Sequence, residues 1–272
     1  MRLAHRVLAV GLCLLGACSS TGVGNPAPVS ISLSIVNDSS DDVDEVAGAA
    51  GTDSSGSAGA AGASNAPPAQ ALPTSAIEDA IVVLGELRFR PCDAALGHPL
   101  AVPGPFVVDL KRGTTLPAIP SIAGTPGGYC GIDAPLAPAS EPAALAGRSL
   151  FFDGTRADGA FFIVYANMTG TLRLRATPGA SWSGGVEGSR LFWALRPRRW
   201  LALAELNGAD AILDANRRRA IVIDAGRHPA LFLKIRARLA GLSALYTDAD
   251  GDGQFTDSDR AGIVGLGLDN AD

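Results

Sequence analysis

Short runs of alternating apolar and polar residues begin at Ile77, and they limit the folds available to this chain. Ile81, Val83, Leu87 and Phe89 share one face, while the opposite face becomes charged at Arg88 and Arg90. Alternation with a period of two is typical of a strand that buries one face. Further runs predicted as strands are residues 106–110, 149–152, 160–166, 171–176, 190–195 and 220–223.

Glycine-containing turn signals separate these runs, for example at Asp153-Gly154 and Asp158-Gly159. Many short strands joined by such turns favour an antiparallel β-sandwich. Roughly 195 residues lie beyond the segments of low complexity described below, which is enough for one domain with a hydrophobic core. We therefore predict a mainly β fold, with a sandwich domain over residues 76–227.

The pattern changes near the C-terminus, where Leu231, Ile235, Leu239 and Leu242 recur at helical spacing. Pro229 suits the first turn of a helix, because its missing N–H has no helical partner there. The sequence predicts a helix from residue 228 or 229 to about residue 246. We assign residues 228–272 to a C-terminal region made of this helix and the loop that follows it.

That loop, from Asp248 to Asp259, resembles the twelve-residue calcium loop of EF-hand proteins. Carboxylates occupy positions one, three, five and twelve, and Gly253 occupies position six, where φ must be positive. The resemblance implies that four side chains and the backbone carbonyl of position seven bind Ca²⁺. The predicted ligand residues are Asp248, Asp250, Asp252, Gln254 and Asp259.

Two departures from the EF-hand pattern lower the expected affinity for calcium. Asp259 stands where these loops usually carry Glu, and the shorter side chain reaches less far. The segment after the loop contains Gly262, Gly265 and Gly267, so a long exit helix is not expected. We expect a dissociation constant of about 10⁻⁴ to 10⁻³ M, with magnesium tolerated. The alternative is an acidic surface turn that binds no ion.

The first seventeen residues have the basic start and short apolar run of a secretory signal. The run ends in Leu15-Gly16-Ala17-Cys18, which resembles the lipobox of bacterial lipoproteins. That resemblance implies cleavage before Cys18, acylation of its thiol and anchoring in a lipid bilayer. Ser19 follows the cysteine, which by the same resemblance favours the outer membrane of the cell envelope over the inner membrane. The face of that membrane stays open.

Residues 18–75 are rich in Ser, Gly, Ala, Pro and Asp, a composition that predicts a disordered tether. Residues 29–36 are the exception, because Val29, Ile31, Leu33 and Ile35 alternate with serine and predict a strand. The acidic residues after that strand are expected to form a solvated charge run, with a weak cation site as the alternative. They are Asp38, Asp41, Asp42, Asp44 and Glu45.

Four cysteines are present, and the lipobox interpretation assigns Cys13 to the signal and Cys18 to the lipid anchor. Cys92 and Cys130 remain, and in an oxidising compartment we expect them to form a disulfide. Two buried thiols are the alternative. The net charge of −5 argues against a nucleic-acid partner, and the sequence does not identify a protein or glycan partner.

Two clusters have both a structural and a functional interpretation. Trp182, Trp193 and Trp200 suit core or rim packing, with a carbohydrate site as the alternative. Surface charge beside strands suits the arginine cluster, with a site for lipid-A phosphates or another polyanion as the alternative; the cluster comprises Arg196, Arg198, Arg199 and Arg217 to Arg219. The sequence shows no catalytic constellation. We therefore predict an envelope lipoprotein that is a non-catalytic structural or binding module, and the alternative is an envelope hydrolase with an unrecognised site.

Overall fold

The structure, a computed structural model, describes residues 30–39, 70–73, 76–95, 97–124, 128–182, 189–214 and 216–268. These residues form a mainly β fold, which confirms the predicted class. No helix in the described ranges is both long and apolar enough to cross a bilayer. The predicted signal at residues 1–17 and the predicted anchor residue Cys18 lie outside the described residues.

Sixteen strands and four short α-helices are present in the described part of the chain. The strands are β1 (Ser30–Asn37), β2 (Ile77–Leu84), β3 (Leu87–Pro91), β4 (Leu100–Val102), β5 (Phe106–Asp109), β6 (Thr114–Leu116), β7 (Ile122–Ala123), β8 (Tyr129–Pro135), β9 (Leu150–Thr155), β10 (Phe161–Ala166), β11 (Thr171–Ala176), β12 (Ser189–Leu195), β13 (Ile212–Leu213), β14 (Arg219–Ile223), β15 (Ala244–Thr247) and β16 (Ile263–Leu268). The helices are α1 (Pro197–Trp200), α2 (Leu203–Asn207), α3 (Pro229–Gly241) and α4 (Asp257–Arg260).

The strands form two sheets. The nine-stranded sheet has the order β4-β3-β8-β11-β16-β15-β12-β1-β7, and the seven-stranded sheet has the order β13-β14-β10-β9-β2-β5-β6. Both sheets are mixed, and one of them curls into a half-barrel. The six further runs predicted as strands each overlap one strand of these two sheets, whereas the run that begins at Ile77 divides into β2 and β3, which lie in different sheets.

The expectation of purely antiparallel pairing is wrong. β1 pairs with β12 in parallel, and β10 pairs with β14 in parallel. Alternation within a run shows which face of a strand is buried, but it carries no information about the direction of the neighbouring strand. Parallel neighbours need a long connection between them, and the chain supplies one, because β1 and β12 are separated by ten other strands.

One large apolar cluster contains inward-facing residues from both sheets. All three tryptophans are buried: Trp182 is 2% exposed, and Trp193 and Trp200 are fully buried. The ring of Trp200 lies edge-on to Phe152 with centroids 5.4 Å apart. The packing interpretation of the tryptophans is therefore confirmed, and their rings are not available as an exposed carbohydrate platform.

The strand predicted at residues 29–36 is present as β1. Ile31, Leu33 and Ile35 are buried, and Ser30, Ser32 and Ser34 face outward. β1 lies between β12 and β7 in the nine-stranded sheet, although roughly forty residues separate it from the next strand in sequence. A strand inside the predicted tether is thus part of the folded domain.

The C-terminal helix is shorter than predicted. α3 ends at Gly241, and residues Ala244–Thr247 form β15 instead of a last helical turn. Leu245 and Tyr246 are both fully buried, because β15 lies between β12 and β16 and is covered on both faces. Tertiary pairing overrides the helical periodicity at this point. The nine-stranded sheet therefore draws strands from both sides of residue 227.

The predicted disulfide between Cys92 and Cys130 is present, with the two Cα atoms 4.8 Å apart. It links the end of β3 to β8, which are neighbouring strands in the nine-stranded sheet. The bond closes the excursion that contains β4 to β7. Closing a loop of about 39 residues stabilises the fold by up to about 4 kcal/mol, when the unfolded chain follows the entropy model.

Candidate metal centre

The acidic loop connects β15 to α4, so it is entered from a strand and left by a single helical turn. An EF-hand loop is entered from a helix, so the resemblance holds for the loop and does not extend to its flanks. Gly251 and Gly253 have φ values of +76° and +82°. The turn predicted at position six is therefore formed.

The carboxylates of Asp248, Asp250 and Asp252 converge on one point. One oxygen from each side chain lies within 4.8 Å of the others. Asp250 and Asp252 are exposed, whereas the side chain of Asp248 is only 3% exposed. Three carboxylate oxygens at this spacing are a suitable partial ligand set for a hard divalent cation, which prefers oxygen.

Asp248 already has three donors around its carboxylate. The backbone N–H of Gly251 donates to Oδ1 at 2.8 Å, and that of Gly253 donates to Oδ2 at 3.0 Å. The guanidinium of Arg190, on β12, donates to Oδ2 at 2.9 Å. Arg190 therefore neutralises the carboxylate at loop position one. A cation that bound there would have to compete with this arginine.

Asp259 does not join the three converging carboxylates. It is fully buried, and its Oδ1 accepts the backbone N–H of Ala249 at 2.7 Å. Its Oδ2 accepts the N–H and the hydroxyl of Thr256, at 2.7 and 3.1 Å. These bonds close the loop across its width and cap α4, so Asp259 holds the loop in shape in this arrangement.

The other loop residues contribute further internal bonds. The N–H of Gln254 donates to Asp252 Oδ1 at 2.7 Å, and the hydroxyl of Ser258 donates to Asp250 Oδ2 at 2.9 Å. The bond from Ser258 is the largest cause that holds the pKa of Asp250 below its ordinary value. Asp250 is thus ionised at neutral pH, as a metal ligand must be. Binding by the Gln254 carbonyl stays a prediction.

Phe255, at loop position eight, fixes the loop to the outer face of the nine-stranded sheet. Its ring centroid lies 5.6 Å from Phe192 and 5.3 Å from Tyr246. The guanidinium of Arg260 lies 5.0 Å above the same ring, a cation–π contact. The loop is therefore held by packing on the sheet that carries Arg190.

A buried charge cluster lies beside this contact, at the end of β1. Asp38 is 1% exposed and accepts from Arg196 Nε at 2.9 Å and from Arg260 Nε at 3.1 Å. Arg196 also donates to the hydroxyl of Tyr246 at 2.6 Å, and burial raises the pKa of that tyrosine. The sequence interpretation of Asp38 as solvated charge, and of Arg196 as surface charge, is therefore wrong. The other acids of that run lie outside the described residues.

Sequence reasoning missed Arg190, Arg196 and Asp38 as parts of this region. Asp38 lies 158 residues from Arg196 and 222 residues from Arg260, and Arg190 lies 58 residues from Asp248. No local pattern reports contacts at such separations. The buried face of β1 was visible in the alternation, and it could have suggested that Asp38 is held near the sheet.

A polar pocket of about 380 Å³ adjoins the loop and shares Asp248 and Arg190 with it. Four serine residues from three segments of the chain complete most of its lining. The histidines at positions 98 and 228 do not line it. Comparisons with protein-family models, with curated proteins and with solved structures give no match.

Proposed function

We propose that this chain is a lipid-anchored, non-catalytic module of the cell envelope, with a weak calcium site in the loop at Asp248–Asp259. The calcium-binding part of this proposal rests on the convergence of the Asp248, Asp250 and Asp252 carboxylates. The lipobox at Cys18 and the serine after it support the anchor and the outer membrane. The two sheets around one apolar cluster support a β-sandwich as the folded part.

Asp248, Asp250 and Asp252 would hold the ion through side-chain oxygens, and Gln254 through its carbonyl. Asp259 would have to exchange its bonds to Ala249 and Thr256 for the metal. The ion would neutralise the two exposed carboxylates and hold the turn closed. The competing bond from Arg190 to Asp248 is consistent with weak affinity. Arg190→Gln is therefore expected to lower the dissociation constant for calcium.

Calorimetry and thermal unfolding of the full chain in detergent test whether the loop binds calcium. With a dissociation constant near 1 mM, 10 mM CaCl₂ stabilises the folded state by about 1.4 kcal/mol. For a domain of this size that raises Tm by roughly 3 to 6 °C. Magnesium at the same concentration is expected to give a smaller rise, because six ideal ligands are harder to arrange around it.

Two exposed aspartates of the same loop form a matched pair of variants. Asp252→Asn removes a converging carboxylate and should abolish the calcium-dependent rise. Asp257→Asn removes a carboxylate that is 97% exposed and lies outside the converging set, and it should retain the rise. If wild type shows neither heat nor a shift in Tm at 10 mM calcium, the metal site does not exist.

The anchor is tested separately by metabolic labelling with radioactive palmitate. Wild type should incorporate label and fractionate with membranes. Cys18→Ser should do neither, because only a thiol can receive the diacylglycerol. Label on the Cys18→Ser variant would show that the anchor lies elsewhere or that the labelling is unspecific.

The alternative function is an envelope hydrolase, and the serine-lined pocket is the observation in its favour. A serine nucleophile needs a base within hydrogen-bond reach. The pocket lining among the described residues offers Arg190 and Asp248, which are paired with each other, and it offers no histidine. We therefore prefer a binding role for this pocket.

A further inference from the structure

The polar pocket is built on a row of side chains that crosses four neighbouring segments of the chain. Ser32 on β1 is paired directly with Arg190 on β12. On one side, Ser121 precedes β7, whose Ile122 is paired with Ile31. On the other side, Asp248 follows β15, and its N–H donates to the carbonyl of Arg190 at 3.0 Å. The row therefore presents hydroxyl, hydroxyl, guanidinium and carboxylate in order.

Ser30 and Ser189 extend the same lining, so hydroxyl groups dominate the pocket. A hydroxyl both donates and accepts, whereas a guanidinium only donates and a carboxylate only accepts. The pocket thus offers donors and acceptors side by side across one face of the sheet. Its volume of about 380 Å³ lies within the range of small-ligand sites.

Charge excludes the simplest ionic ligands. The charge of Arg190 is balanced by Asp248 within the pocket at 2.9 Å. Asp250 and Asp252 stand close by and would repel an anion. A cationic ligand would meet the guanidinium at the centre of the row. A neutral ligand that carries several hydroxyl groups matches both the paired charges and the mixture of donors and acceptors.

We propose that this pocket binds a neutral monosaccharide unit through the Ser121-Ser32-Arg190-Asp248 row. The proposal deepens the proposed function, because it gives the non-catalytic module a class of ligand. It rests on the proposed function only for the place, the cell envelope, where the protein would meet that ligand. The proposed contact is that of the loop without a cation, because a bound cation would compete with Arg190 for Asp248. Because the pocket is open and polar, a single sugar should bind with a dissociation constant on the order of millimolar.

Saturation-transfer NMR of the full chain in detergent, with methyl glucoside, galactoside, mannoside and N-acetylglucosamine as probes, tests the proposal. At least one probe should give a saturable signal below 50 mM. Ser32→Tyr places a ring in the pocket on an exposed strand position and should weaken binding at least tenfold. Ser34→Tyr makes the same change at the next outward position of β1, outside the pocket lining, and should change binding less than twofold.

The Tm of each variant establishes that it is folded. If Ser32→Tyr does not fold, Ser121→Leu is the second variant that fills the pocket. Titrations in EDTA and in 10 mM CaCl₂ separate this proposal from the cation site. Sugar binding in EDTA supports the pocket even if calcium does not bind, and calcium binding without any sugar signal overturns the pocket alone. An equal loss of sugar binding in Ser32→Tyr and Ser34→Tyr would also overturn the proposal. Tighter binding of sodium sulfate than of any sugar would overturn it as well.

Discussion

Removing the Asp38 carboxylate should destabilise the whole domain, although sequence composition assigns this residue to a tether. The side chain of Asp38 is fully buried and accepts from two arginines, and Arg196 is itself only 8% exposed. Asp38→Ala leaves the Arg196 guanidinium buried with only Tyr246 among its described side-chain partners. It also removes one partner of Arg260, which carries the cation–π contact to Phe255.

The expected magnitude follows from the burial of this ion pair. Breaking a buried pair by removing one partner costs about 3 to 5 kcal/mol, because the remaining charge is uncompensated. With a urea m-value of about 2 kcal/mol/M, that loss lowers the unfolding midpoint by about 1.5 to 2.5 M. Equilibrium urea unfolding, followed by tryptophan fluorescence, measures this shift, because all three tryptophans are buried.

Asp257→Ala is the matched control, because Asp257 also pairs with Arg260 but is 97% exposed. An exposed pair contributes about 0 to 1 kcal/mol, so its midpoint should fall by less than 0.5 M at the same m-value. Both variants remove a carboxylate that pairs with Arg260, but only Asp38 is buried and also pairs with Arg196. Equal midpoints for Asp38→Ala and Asp257→Ala would refute the argument that β1 and Asp38 belong to the core.

Three further outcomes are expected. Burial raises the pKa of Asp153 to about 6, so its contribution to stability is full below about pH 4 and is lost as pH rises through 6. Asp153→Asn should therefore flatten the pH dependence of the urea unfolding midpoint over that window. Gly253→Ala and Gly251→Ala share the cost of a positive φ, about 1 to 2 kcal/mol. Only at Gly253 would the new Cβ displace the flexible Arg190 side chain from its bond to Asp248, so Tm should fall slightly further there. Replacing Cys92 and Cys130 together by Ser should cost about 2 to 4 kcal/mol in urea unfolding, and an unchanged midpoint would contradict a stabilising role.

Much of the fold was readable from local pattern. Strands with clear alternation were readable in this way, for example β11, in which Leu172 and Leu174 alternate with Arg173 and Arg175, but β8 and β16 were not predicted. The disulfide was readable by elimination among four cysteines. The converging carboxylates were readable because alternate residues of one tight turn point to one place, so the site needs no contact from elsewhere in the chain.

Other features depended on long-range pairing. The helical spacing of Leu239 and Leu242 predicts that α3 continues through the residues of β15. Nothing local signals that Leu245 and Tyr246 pair with strands on both sides. The direction of β1 beside β12 was equally hidden, since a strand's own sequence does not report which neighbour it will meet.

The sequence by itself determined where this protein is expected to work and which oxygens its acidic loop can offer. Both features depend on short contiguous motifs, at Cys18 and at Asp248 to Asp252. The residues that define each motif are neighbours in the sequence. The tertiary structure decided what surrounds that loop: Arg190 neutralises its first carboxylate, Phe255 packs it on the sheet, and Ser32 opens a polar pocket beside it. Those contacts join residues far apart in the chain, and only the folded sheet brings them together.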